Sequence, residues 1–157
     1  MKLTAWRIDA ALHAKNWATG EGARLYGGRW NPRGMRCIYA ALDPATALLE
    51  VAVHKSFAAL DATPHVVTRL ELDAKHVHAL AAGDVPDAAW LRPGIVAPEQ
   101  QAFGAALLAA HVFVSLPSVV VAEARNLIFD PAKAAGRYRV VSQTPLVLDP
   151  RLANSQR

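Results

Sequence analysis

Glycine backbone, guanidinium groups, two aromatic rings and an amide fall together in the run Gly20-Glu21-Gly22-Ala23-Arg24-Leu25-Tyr26-Gly27-Gly28-Arg29-Trp30-Asn31. Backbone N–H groups and arginine bind phosphate oxygens through charge-assisted hydrogen bonds, and tyrosine or tryptophan faces stack on flat bases, so this set suits a dinucleotide. It is neither a Rossmann nor a P-loop fingerprint. Leu25 stands where the last glycine of a Gly-x-Gly-x-x-Gly run would be, and no Gly-Lys-Ser/Thr occurs. The plain alternative is a turn-rich surface loop with solvated arginines.

Glu50 lies in Ala45-Thr46-Ala47-Leu48-Leu49-Glu50-Val51-Ala52-Val53, a helical stretch apolar on nearly every side and therefore expected to be mostly buried. A carboxylate there must be paired, hydrogen-bonded, neutral or turned into a cleft. An i,i+4 pair with His54 is the structural alternative. Ser118 opens the β-branched run Val119-Val120-Val121, with Asn126 a few residues on. No Gly-x-Ser-x-Gly elbow surrounds it, which argues against a hydrolase nucleophile. Histidines 13, 54, 65, 76, 78 and 111 form no His-Glu-x-x-His pattern and have no cysteine cluster beside them, so no metal is expected.

The elements that must position these groups can be read in part. Leu3–Ile8 is expected to be a strand, 10–17 a short helical stretch, 19–34 a loop and 36–41 a strand. Asp43-Pro44 then opens a helix, with an N-cap acceptor followed by proline at the first helical position. Residues 65–72 alternate with period two as a strand does. The Ala- and Leu-rich span 99–113 is expected to be helical, and 119–122, 127–129 and 138–142 to be short strands. Strands outnumber helices, so the fold class is mixed α+β in a single compact domain, with a mostly antiparallel sheet and flanking helices. Residues 1–150 form that domain, and 151–157 read as a polar C-terminal tail.

The 157 residues are 53% hydrophobic and 19% charged, which suits one folded domain rather than a disordered chain. The lone Cys37 cannot form an internal disulfide and reads as buried, consistent with a reducing compartment. Lys2, Arg7 and Asp9 interrupt any signal-peptide core, and no window offers the ~18 apolar residues of a membrane span. The expectation is a cytoplasmic protein without membrane association. A net charge of +4 points to an anionic partner. Because Arg24, Arg29, Arg33 and Arg36 share one short glycine-rich segment, a local anion site is favoured over a diffuse nucleic-acid surface.

Together, Trp6-Arg7, Gly-x-Gly-Ala (20–23), Gly-Gly-Arg-Trp-Asn (27–31), Tyr39-Ala40-Ala41, Ala47-Leu48-Leu49-Glu50, Pro117-Ser118, Asn126-Leu127 and Asp130-Pro131 resemble the RES-domain family over nearly the whole chain. The resemblance implies a fold similar to diphtheria-toxin-like ADP-ribosyltransferases. It also implies a toxin of a toxin–antitoxin pair with an Xre-type antitoxin, and NAD as substrate, cleaved at the nicotinamide–ribose bond by hydrolysis or by phosphorolysis with inorganic phosphate. Arg29, Glu50 and Ser118 become the expected catalytic residues, and Tyr26, Arg29, Tyr39 and Asn126 the expected substrate contacts. Under this reading Glu50 stabilises an oxocarbenium-like ribose, Arg29 holds the pyrophosphate or nicotinamide end, Tyr39 stacks on a ring and Ser118 bonds the amide or ribose. Nucleic acid would be met only through the antitoxin. Two rivals stand beside it: mono-ADP-ribosylation of a protein, and a basic RNA-binding module in which the arginine loop tracks phosphates.

Overall fold

A computed structural model describes residues 1–154, so the last three residues of the expected polar tail lie outside the described part. Seven strands form one sheet: β1 (Lys2–Ala10), β2 (Ile38–Ala41), β3 (His65–Asp73), β4 (Val77–Ala79), β5 (Phe113–Pro117), β6 (Arg125–Phe129) and β7 (Tyr138–Pro145). Their spatial order is β4-β5-β6-β2-β1-β3-β7, and every pairing except β4 with β5 is antiparallel. The helices are α1 (Glu21–Tyr26), α2 (Pro44–Lys55), α3 (Phe57–Ala62), α4 (Pro98–Ala110) and α5 (Pro150–Asn154). This is the α+β architecture expected from the pattern of elements.

The period of two in the strands divides the core between the two faces of the sheet. One face buries Ala5, Ile38, Ala40, Leu70, Leu72, Phe113, Leu127 and Phe129 together with Trp17. The other carries α2 above Ile8 and Ala41, and α4 with Trp30 above Val114, Leu116 and Ile128. Helix α2 begins as its sequence dictates. Asp43 caps it, accepting bonds from the Thr46 N–H at 2.8 Å and the Thr46 hydroxyl at 2.6 Å, with Pro44 behind it. Those bonds hold the Asp43 carboxyl below its usual range.

Several boundaries differ from expectation, each for a local reason. Residues 11–13 and 17–19 are separate 3₁₀ turns rather than one helix, and α1 sits inside the glycine-rich segment, entered from Gly20 in a left-handed conformation. Helix α4 stops at Ala110, where Lys133 donates to the carbonyls of Leu108 and Ala109, and Phe113 starts β5. Residues 119–122 form no strand. The Ser118 hydroxyl accepts the N–H groups of Val120 and Val121, both at 3.1 Å, and removes them from any ladder.

His111, which ends α4, stacks face to face on His78 of β4 with ring centroids 3.9 Å apart. Burial, and after it the charges of His78 and Lys133, hold His111 below its ordinary value of 6.5. The folded chain therefore binds this proton less readily than the unfolded chain. The stability that neutral His111 contributes is complete above 6.5 and is lost as pH falls below it. Melting curves recorded between about pH 7 and 5 should show a steeper loss for the wild type than for His111→Gln. Parallel profiles would remove His111 as the cause.

Candidate active site

Helix α2 lies across the sheet face that carries Ala41, and the register of the central strands brings Asn126 beneath it. Asn126 pairs with Ala41 on one side and Leu116 on the other. From α2, the Glu50 carboxylate reaches down to this point. Its Oε1 accepts the Asn126 amide at 2.6 Å and the Ser118 hydroxyl at 2.8 Å. The half-exposed carboxylate is thus anchored through one oxygen, and Oε2 accepts no hydrogen bond among the described residues. Among the described residues, Asn126 Oδ1 is buried without a hydrogen-bond partner.

Ser118 has no hydrogen-bonding capacity left over: its proton goes to Glu50 and its two acceptor sites to Val120 and Val121. The turn that holds it closes with the Ser118 N–H donating to Ala124 O at 2.9 Å, and includes Glu123 at φ 68°. A non-glycine residue in that region costs about 1 kcal/mol or more and persists where the surroundings enforce it.

The glycine-rich loop stands on the same face, tied to β2 by Tyr39. The Tyr39 hydroxyl donates to Asn31 Oδ1 at 2.7 Å and accepts from the Trp30 N–H at 3.0 Å. Burial pushes this phenol well above its usual range. Asn31, fully buried, donates through Nδ2 to the carbonyls of Ala23, Pro32 and Met35. Gln101 of α4 donates to Gly28 O at 2.9 Å. At Gly28 a side chain is forbidden by neighbours: a Cβ would lie 2.5 Å from the Tyr39 hydroxyl and 2.6 Å from Asn31 Oδ1.

The four arginines of the segment separate into two kinds. Arg24 and Arg36 share the single carboxylate of Glu21, at 2.5 and 2.7 Å. Neither Arg29 nor Arg33 has a carboxylate within ion-pair distance among the described residues, and Arg29 makes only long contacts, 3.4 Å each, with the carbonyls of Trp90 and Arg92. An uncompensated guanidinium held only by carbonyls is available to an anionic ligand.

The residues named from the sequence thus fall into three groups. Glu50, Ser118 and Asn126 are in direct contact. Tyr39, two residues along β2 from the Asn126 partner Ala41, braces the loop that carries Arg29. Tyr26 ends α1 at 76% exposure, an open aromatic face beside that loop. Asn31 and Gln101, which secure the loop, were not expected to have this part. Asn31 stood in the motif, but nothing local indicated that its four bonds would fix the turn. Two open concavities, of about 580 and 610 Å³, lie elsewhere, one by Glu71 and Arg139 and the other along Leu49, Val53 and Phe57. Neither contains Arg29, Tyr39, Ser118 or Asn126. Among the described residues no group of three or more His, Cys, Asp or Glu could hold a metal ion, and no helix is long and apolar enough to cross a membrane.

The RES domain matches residues 4–149. The chain belongs to the RES-domain family. A Prs ADP-ribosylating toxin of Sphingobium sp. (strain YBL2) is 31% identical over 140 residues, covering 84% of each chain. Toxin Res of Yersinia enterocolitica (serotype O:8 / biotype 1B) is 30% identical over 143 residues, 88% of this chain and 91% of that one. Among solved structures, the MbcT–MbcA toxin–antitoxin complex of M. tuberculosis contains a chain with TM-score 0.70 and 20% identity, covering 99% of this RES-domain chain and 88% of that one. At that identity the likeness establishes the shared fold.

Proposed function

We propose that this RES-domain chain is a cytoplasmic toxin that cleaves NAD at the nicotinamide–ribose bond and is restrained by an Xre-type antitoxin covering the site. The observation that carries the reading is the Glu50 carboxylate, fixed through Oε1 by Ser118 and Asn126, on the sheet face that also presents the unpaired Arg29. Loss of nicotinamide leaves a cationic, oxocarbenium-like ribose, and a carboxylate aimed beforehand at that carbon stabilises it without reorganising. Arg29 binds the pyrophosphate, and Tyr26 offers an exposed face for a base. Tyr39 supports the loop, and Ser118 acts on Glu50 rather than on the ligand because its hydrogen bonds are all committed. With water as acceptor the products are ADP-ribose, nicotinamide and a proton; with inorganic phosphate the ribose is phosphorylated instead. No metal takes part in this scheme.

The named activity of the Sphingobium relative favours a second reading, in which a protein accepts the ADP-ribose. Incubating the purified chain with NAD, with and without inorganic phosphate or Prs, and following nicotinamide and ADP-ribose separates the acceptors. Free ADP-ribose supports hydrolysis, a phosphate-dependent product supports phosphorolysis, and label on Prs supports transfer. A folded chain free of any partner that leaves NAD intact under all three conditions overturns NAD cleavage. Strongly salt-dependent RNA binding untouched by Glu50→Gln would instead support the RNA-binding rival.

Ser118→Ala should lower kcat roughly 10- to 100-fold while leaving KM for NAD nearly unchanged, because it frees the aim of the carboxylate without removing a ligand contact. A rise in KM at constant kcat would place the Ser118 hydroxyl on the substrate instead.

A further inference from the structure

Strand β1 pairs with β3 along its whole length, from Lys2 with Asp73 to Ala10 with His65, but meets β2 at a single register position, Trp6 with Ala41. Past that point β1 and β2 part, and the main-chain carbonyl of Tyr39 faces a side chain instead of a strand. Arg7 Nη1 donates to it at 2.8 Å. The rest of the same guanidinium is held by Asp9, with Nε to Oδ2 at 2.8 Å and Nη2 to Oδ1 at 2.7 Å. Both side chains are largely shielded, 24% and 12% exposed. Arg7 thus has its charge matched by Asp9 and a hydrogen bond on each of its three nitrogens. It acts as a rung in a ladder that the backbone leaves open.

Tyr39 is gripped at both ends, its carbonyl by Arg7 and its hydroxyl by the Trp30–Asn31 turn. Two residues along the same short strand, Ala41 is in register with Asn126, which holds Glu50. Strand β2 therefore spans the two halves of the site, with the Arg29 loop attached through Tyr39 and the Glu50 anchor attached at Ala41.

We infer that Arg7 and Asp9 are positioning residues that fix the Arg29 loop relative to Glu50 by holding the part of β2 that β1 leaves unpaired. The functional part of this inference rests on the NAD-cleaving reading; the mechanical part does not. Both follow from replacing either member of the pair. In Arg7→Met and Asp9→Asn, β1 keeps its pairing with β3, while Tyr39 loses its outer support and the Trp30 amide loses a fixed acceptor. The Trp30 N–H should exchange with solvent about 10-fold faster than in the wild type, with the amides of the β1–β3 ladder unaltered. In the same variants kcat/KM for NAD should fall about 100-fold, the scale of a 1 Å misplacement. The losses of Arg7→Met and Tyr39→Phe should combine to less than their product, because both release the same strand.

Amide exchange followed by NMR on the full chain, with steady-state turnover on the same samples, tests this. Unchanged Trp30 protection, or loosening confined to the β1–β3 ladder, overturns the inference, as does full multiplication of the Arg7 and Tyr39 effects on kcat/KM. If the wild type does not cleave NAD, the functional reading fails by itself, and the exchange data still decide whether Arg7 and Asp9 hold the loop.

Discussion

Glu50→Gln should reduce NAD turnover about 1,000-fold while leaving the fold intact. The two properties separate because of how the carboxylate is held. Glutamine keeps an oxygen able to accept from the Ser118 hydroxyl and the Asn126 amide, so the bonds that anchor α2 to the sheet survive with similar geometry. What disappears is the negative charge beside the developing ribose cation. An interaction that grows only as the glycosidic bond breaks is expressed in kcat, so KM for NAD should change little. Nicotinamide release by wild type and variant, with melting curves for both, provides the check. A folded variant with wild-type turnover would exclude this carboxylate from the chemistry and leave the arginine loop as a binding surface alone.

How much of this was legible beforehand depends on the range of each signal. The Asp43-Pro44 start of α2 and the alternation of β3 are written in adjacent residues, and the structure places both elements where they are read. Resemblance selected Glu50, Ser118 and Asn126, but Glu50 and Asn126 are 76 positions apart, and their contact depends on the register of β2 against β6. No local pattern encodes a register between distant strands. The run Val119-Val120-Val121 misleads for the opposite reason. Its β-branched residues favour a strand, yet a single preceding hydroxyl captures the N–H groups a strand would need. Four arginines in a glycine-rich segment suggest a local anion site, but only the fold distinguishes the two that share Glu21 from Arg29 and Arg33.

Gly104→Ala should destabilise the protein, although helix propensity alone argues for the reverse. Gly104 is inside α4, where alanine is preferred by about 1 kcal/mol. A Cβ there, however, would point into the backbone of Trp30, 2.6 Å from its carbonyl carbon and 2.7 Å from its Cα, and closer still to its carbonyl oxygen. These are main-chain atoms and cannot rotate away. Relief requires α4 to separate from the loop, opening the contacts of buried Trp30 with Phe103. Overpacking of this kind costs about 1–3 kcal/mol, and a clash with backbone belongs at the upper end, so the propensity gain is outweighed. A net loss of roughly 2 kcal/mol corresponds to a fall in Tm of about 4–8 °C for a domain of this size. Turnover should fall with it, because Trp30 sits between Arg29 and the Asn31 that anchors the turn. Gly22→Ala supplies the contrast: it lies in α1 with open space where its Cβ would go, and should raise Tm slightly. Equal behaviour of the two variants would show that propensity, and not the close approach of α4 to Trp30, accounts for the glycine at 104.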